Sequence, residues 1–125
     1  MVKARGVYHT GIPVDDMERA ERFYTEILGM QIELRAEDEG VRLTRMKCGP
    51  DDVVLFERPR PLGRDSYTDD GIYHQAFRIA PEDFEGAMAL LKQKGYYRHG
   101  PTERPSGMTV YFVDSEGNYQ ELHAP

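Results

Sequence analysis

The stretch Tyr8-His9-Thr10-Gly11-Ile12-Pro13-Val14-Asp15-Asp16 sets the frame for the rest of the chain. Its apolar positions, with Val7, make residues 6–14 a strand that Asp15-Asp16 ends, and one of those aspartates caps a following helix. Within Met17–Leu28 the apolar residues Met17, Ala20, Phe23, Tyr24, Ile27 and Leu28 fall at helical spacing, and Gly29 is the stop. Strands are expected at 31–35, 41–48 and 53–57, with polar turns at 36–40 and 49–52. Residues 58–70, with Pro59, Pro61 and Gly63 among charges, read as a connecting loop or lid. A second strand at 71–79 precedes a helix opened by Pro81, with Phe84, Ala87, Met88 and Leu91 on its apolar face and Gly95 at its end. Tyr96–His99 reads as a short strand, 100–107 as a proline-containing loop, 108–113 as a strand, 114–117 as a turn and 118–123 as the last strand.

The second half repeats the order of the first. His74 follows His9 by 65 residues, Gly95 follows Gly29 by 66 and Glu121 follows Glu57 by 64. Three unlike features at nearly one offset argue for a duplicated unit. The expected fold is α+β: two tandem βαβββ units forming a curved mixed sheet around a metal-binding cup. Residues 1–125 make one domain, with unit one at about 5–58, a linker at about 59–70 and unit two at about 71–125.

Composition narrows the function. A net charge of −6 and a pI near 5.2 argue against a nucleic-acid partner. Cys48 is the single cysteine, which excludes an internal disulfide and a cysteine-rich zinc site. No apolar run approaches the roughly 18 residues of a membrane span. No signal-like stretch opens the chain. The expectation is a cytoplasmic protein with no membrane and no nucleic-acid partner.

His9 and His74 take equivalent places in the two units, and Glu121 lies in the final strand. Two imidazoles and a carboxylate on one face form an open metal site with positions left for water and substrate. Glu121 can equally be a surface carboxylate, since Tyr119 and His123 share its face. The remaining charges read as solvated, although Arg42 and Arg45 fall on opposite faces of one strand, so one of them could hold an anionic substrate.

The opening run, followed by Phe23-Tyr24-Thr25-Glu26-Ile27-Leu28-Gly29-Met30, resembles that of the vicinal oxygen chelate superfamily of glyoxalases, extradiol dioxygenases, fosfomycin-resistance enzymes, epimerases and bleomycin-binding proteins. The closing run Val110–Leu122, with its Asp114-Ser115-Glu116-Gly117 turn, is similar to that family's ending. The resemblance implies a metal held by His9, His74 and Glu121: one divalent ion, with Fe, Mn, Ni, Co and Zn all compatible. A fourth ligand or base falls on Glu57 by the repeat offset, while other alignments of the same strand put Leu55 or Val54 there. Neighbouring positions face opposite ways, so the choice matters.

Among the reactions the resemblance implies, Pro13 and Pro61 stand where glutathione-dependent glyoxalases carry an arginine and an asparagine. Fosfomycin-resistance enzymes place cationic contacts on a tail, and this chain stops four residues after Glu121, which sets them aside. Tyr111 lies ten residues before Glu121, as a tyrosine does in extradiol dioxygenases, and His99 is a candidate for the histidine that those enzymes use beside the metal without binding it. The reading leans to extradiol-dioxygenase-like chemistry on a small molecule with vicinal oxygens, in a homodimer. Its alternatives are glyoxalase, lyase or epimerase-like isomerisation at the same metal, and non-catalytic binding of a bleomycin-like drug.

Overall fold

Residues 1–59 and 73–125 are described by the computed structural model. The expected linker lies outside the described residues apart from Pro59, as do the first two residues of the strand expected at 71–79. Two compact units divide the chain, Met1–Leu62 and Gly63–Pro125. Unit one runs β1 (Thr10–Val14), α1 (Met17–Arg22), β2 (Gln31–Asp38), β3 (Val41–Cys48) and β4 (Asp51–Glu57). Its sheet has the order β1-β4-β3-β2, with β1 parallel to β4 and the other neighbours antiparallel. Unit two runs β5 (Gln75–Arg78), α2 (Phe84–Lys94), β6 (Tyr97–Arg104), β7 (Gly107–Val113) and β8 (Tyr119–Ala124). Its order is β5-β8-β7-β6, again with one parallel pair, β5 and β8. One βαβββ topology is used twice, giving two four-stranded mixed sheets and an α+β fold.

Local chemistry explains the elements. The Asp16 carboxylate accepts the Arg19 N–H at 3.0 Å and caps α1. The helix is α-helical only to Arg22 and then widens into a π-helical turn, Phe23–Ile27, with Phe23 and Tyr24 both buried. Gly29 and Gly95 end the two helical segments at φ of 69° and 82°, a region where a Cβ costs about 1–2 kcal/mol. Tyr96 N–H closes the second end on the Leu91 carbonyl at 2.9 Å.

Several boundaries differ from the sequence expectation. β1 begins at Thr10 and β5 at Gln75, so His9 and His74 each stand one residue ahead of their unit's first strand. β2 continues to Asp38, because the hairpin needs only Glu39-Gly40, both at positive φ as a two-residue primed turn requires. The stretch 100–107 is not a loop. β6 extends to Arg104, and its place at the sheet edge tolerates Pro101, with the register shifting between His99 and Thr102.

The cores lie between each sheet and its helix. Ile12, Val14, Ala20, Met46 and Leu55 are fully buried in unit one, as are Val110 and Phe112 in unit two, with Leu122 and Leu91 nearly so. Each large side chain so buried contributes about 1.5–3 kcal/mol. Among the described residues no helix is long and apolar enough to cross a membrane.

Candidate functional site

Strand alternation sorts unit two into two faces. Met108 and Ala124 line one groove with Phe84 and Met88 of α2, so the even-numbered residues of β7 and β8 face the helix. Thr109 and Tyr111 of β7, and Tyr119, Glu121 and His123 of β8, occupy the other face. The register places Tyr111 opposite Glu121 and Thr109 opposite His123. On β5, Ala76 pairs with Glu121 and Arg78 with His123, so His74, Ala76 and Arg78 follow one another along the same face.

Two of the expected site residues meet there. His74 Nε2 lies 3.1 Å from Glu121 Oε1. The other carboxylate oxygen, Oε2, accepts the Thr109 hydroxyl at 2.7 Å. Thr109 Oγ1 is also 2.9 Å from His123 Nδ1, whose Nε2 donates to the Ser106 carbonyl at 3.1 Å. Glu121 is thereby held from both sides and its side chain is only 12% exposed.

Aromatic rings line the same face. Tyr111 stacks on His99 at 4.3 Å and on Tyr119 at 5.4 Å, and the His74 ring stands edge-on to both tyrosines. The Tyr111 hydroxyl accepts from Arg104 Nη2 at 2.9 Å. His99, in β6, reaches the Tyr119 hydroxyl through Nε2 at 3.1 Å. Tyr111 is therefore adjacent to Glu121, while His99 touches the cluster through the two tyrosines.

Unit one holds His9 and Glu57 on different sides of its sheet. His9 packs against Tyr8 and Phe56, and its Nδ1 is buried with no hydrogen-bond partner among the described residues. Phe56, Val54 and Asp52 alternate onto that side of β4. The Glu57 carboxylate turns the other way: Oε2 accepts the Met17 N–H at the start of α1 at 3.0 Å and pairs with Arg42 at 3.3 Å. Gly11 pairs with Val54 as Ala76 pairs with Glu121, so the unit-one counterpart of Glu121 is Val54, a buried apolar side chain. Arg42 and Arg45 do fall on opposite faces, Arg42 on Glu18 and Glu57, Arg45 3.4 Å from Asp52 and over the Tyr8 ring. Lys47 Nζ stands 2.8 Å from Asp52 Oδ1, outside hydrogen-bond alignment, and depresses that carboxyl. Burial pushes the Cys48 thiol up, away from the thiolate a nucleophile needs.

Thr109, Arg104 and Arg78 also stand on this face, outside the residues that the sequence singles out for the site. Once the 114–117 turn is taken as a hairpin loop, counting back from Glu121 and His123 puts Tyr111 and Thr109 across from them, so Thr109 had a signal. Arg104 has none as long as Gly100-Pro101 is taken for a break, because its strand then has no place in the sheet.

Known proteins resemble the chain along both units. The profile described as "Glyoxalase/Bleomycin resistance protein/Dioxygenase superfamily" matches residues 6–122. A relative named glutathione transferase FosA, from Serratia marcescens, is 32% identical over 92% of this chain and 77% of its own. A probable chloroplastic lactoylglutathione lyase from Arabidopsis thaliana is also 32% identical, over 94% of this chain, which spans about a third (35%) of that relative's length. Among solved structures, a glyoxylase/bleomycin resistance protein/dioxygenase domain from Frankia sp. EAN1pec superposes with a TM-score of 0.83 at 22% identity, over 98% of this chain and 93% of that one. The fosfomycin resistance protein FosX of Listeria monocytogenes, solved with Mn(II) and 1S,2S-dihydroxypropylphosphonic acid, gives 0.75 at 21%, over 98% and 93%. The short tail after Glu121 had set fosfomycin-resistance proteins aside, and these relatives return that class to those the chain resembles. With its duplicated βαβββ topology and a profile match over nearly its full length, the chain belongs to the glyoxalase/bleomycin resistance protein/dioxygenase superfamily.

Proposed function

We propose that this protein is a divalent-metal-dependent enzyme acting on a small molecule with two adjacent oxygens, with His9, His74 and Glu121 as the ligands. The observation that carries the reading is the His74–Glu121 pair at 3.1 Å, with the far carboxylate oxygen fixed by Thr109. A ligand carboxylate anchored in this way keeps its orientation when a substrate enters. The donor types suit an ion, although among the described residues no three His, Cys, Asp or Glu side chains are gathered closely enough to hold one. Imidazole and carboxylate suit Fe, Mn, Co, Ni and Zn alike, and the buried, unpartnered Nδ1 of His9 is a polar group short of a ligand. A bound divalent ion supplies Lewis-acid polarisation of the substrate's oxygens.

The chain's own residues do the rest. Thr109 orients Glu121. Tyr111, opposite Glu121 and held by Arg104, presents a phenol that can give a proton to a substrate oxygen. The His99–Tyr111–Tyr119 stack walls the site and fixes that phenol's direction. Glu57 is left out of the ligand set because it caps α1. Val54 stands at the corresponding ligand position, so unit one contributes a single donor.

The relatives named transferase and lyase support polar addition, isomerisation or elimination at metal-held oxygens. Ring cleavage by oxygen is the second reading, and the position of Tyr111 beside Glu121 favours it. Pairing into a homodimer belongs to the same proposal, since among the described residues each sheet ends in strands with an unpaired edge.

Metal analysis tests the reading. The protein is incubated with Mn(II), Fe(II), Co(II), Ni(II) or Zn(II) and dialysed, alongside His74→Ala and Glu121→Ala variants. About one equivalent in the wild type, lost in both variants, is the expected result. Retention by the variants overturns the ligand set. No uptake by any form leaves a binding protein of the same fold. Iron-dependent oxygen consumption with catechols would decide for ring cleavage.

A further inference from the structure

The two histidines have different neighbours. In unit two the His74 ring stands edge-on to Tyr111 and Tyr119, with ring centroids 6.1 and 5.5 Å away, and meets the Glu121 carboxylate. The strand registers carry those three places onto Arg45, Asp52 and Val54 of unit one, at offsets of 66, 67 and 67 residues. Asp52 thus stands where Tyr119 stands to touch His74. Val54 can give His9 no hydrogen bond, and the carboxylate of unit one lies two residues earlier on the same face of β4. A circuit of contacts returns from Asp52 to the histidine. Asp52 Oδ2 pairs with Arg45 Nη1 at 3.4 Å, Arg45 lies over the Tyr8 ring at 5.1 Å, and Tyr8 packs edge-on against His9 at 5.5 Å. Among the described residues, the buried side-chain polar atoms without a hydrogen-bond partner are His9 Nδ1 and Asp52 Oδ1, one at each end of that circuit. The first can carry a proton and the second can only accept one. Lys47, 2.8 Å from Oδ1 but out of alignment, keeps the carboxylate ionised without using up that oxygen.

We infer that Asp52 is the positioning residue of His9: its Oδ1 accepts the Nδ1 proton of the ring, directly or through one water, and so fixes the tautomer that leaves Nε2 for the ion. The inference rests on the metal reading for what Nε2 binds, while the His9–Asp52 contact stands without a metal. An ion on one imidazole nitrogen requires the proton on the other, and a carboxylate there holds the ring's direction and raises its basicity. Asp52 itself does not bind the ion. In unit two Glu121 meets the histidine directly, and in unit one the carboxylate works from behind it.

Nitrogen-15 NMR of the histidine rings tests the contact on the metal-free protein, with the His9 signals assigned by their loss in His9→Gln. The neutral His9 ring of the wild type should carry its proton mainly on Nδ1. Asp52→Ala should move it towards Nε2 and leave the other three histidines as they were. Asp52→Asn keeps an acceptor oxygen and should keep the Nδ1–H form. Equilibrium dialysis with Mn(II) reads the consequence: affinity should weaken roughly tenfold or more in Asp52→Ala and less in Asp52→Asn. Asp51→Ala removes a carboxylate from the exposed neighbouring position of β4 and should bind Mn(II) as the wild type does. A wild-type ring protonated on Nε2, a tautomer unmoved by Asp52→Ala, or equal weakening in Asp51→Ala would overturn the inference. Failure of the wild type to take up Mn(II) would instead strike the metal reading, and the tautomer would still decide whether Asp52 holds His9.

Discussion

β4 and β8 occupy the same place in the same topology, yet one sends its glutamate to the helix and the other sends it away. Glu57 bonds the Met17 N–H and Arg42, on the α1 side of its sheet. Glu121 lies on the side turned from α2, held by Thr109 and against His74. The offset between units accounts for the difference. It is 65 residues at the first strands, where Thr10 corresponds to Gln75, and 67 at the last, where Val54 corresponds to Glu121. By that register the counterpart of Glu57 is Ala124, and Arg45 corresponds to Tyr111 at an offset of 66. The final step is one extra residue between β7 and β8. Lys47 and Asp52 enclose four residues, whereas Val113 and Tyr119 enclose five. In a strand, one residue of slip exchanges the faces. Duplication therefore preserved the scaffold while the turn chemistry decided which glutamate is available for a ligand.

The largest expected effect separates the two glutamates directly. Glu121→Ala should lower divalent-metal affinity by more than roughly 100-fold. Glu57→Ala should keep the metal and lose about 1 kcal/mol of folding stability through the start of α1. Equilibrium dialysis and urea denaturation on both variants check this, and metal loss from Glu57→Ala would erase the contrast.

Next comes the turn that sets the β8 register. The buried Asp114 carboxylate accepts the Glu116 and Asn118 N–H groups, each at 2.8 Å, and the Asn118 side-chain amide at 3.0 Å. Asp114→Ala strands three donors and should cost about 2–3 kcal/mol, with metal affinity falling alongside because Glu121 is no longer aimed. Stability lost with metal affinity intact would show that the register does not depend on this turn. Smaller again is Glu21→Ala. Glu21, on the buried side of α1, accepts from both Thr44 Oγ1 and Arg35 Nε at 2.8 Å. Its removal should cost about 1–2 kcal/mol in urea without disturbing metal uptake, since it lies on the helix side.

Much of this was legible in the residues, and the failures share a cause. His9, His74, Gly29 and Gly95 mark the duplication because a histidine ahead of a strand and a glycine after a helix keep their meaning in either unit. The offset of 64 between Glu57 and Glu121 misled because it matches letters and not register, and the extra turn residue shows only when the strands are paired. β6 was cut short at Gly100-Pro101 because a proline reads as a break, whereas an edge strand needs fewer of its backbone donors. The π-helical turn after Arg22 left no pattern to read, since Phe23, Tyr24, Ile27 and Leu28 satisfy an ordinary helix as well. Thr109 was missed because a hydroxyl carries no signal until its partner strand is known.

The smallest effect concerns Arg42, which corresponds at an offset of 66 to Met108, a residue lining the groove beside α2. Where unit two uses a thioether on the helix side, unit one uses a guanidinium bound to Glu18 at 2.6 Å and to Glu57 at 3.3 Å. The Arg42 hydrogen bond holds the Glu18 carboxyl below its ordinary value of 4.5. A carboxyl depressed in the folded state adds stability that is present above its unfolded value and disappears as pH falls through the folded one. Arg42→Gln should therefore lower the urea midpoint slightly near about pH 7, and the gap from the wild type should narrow on acidification below about pH 4. A gap that stays constant with pH would mean that Arg42 serves, as Met108 does, through the packing of its stem, and the two helix sides would then differ less than their charges suggest.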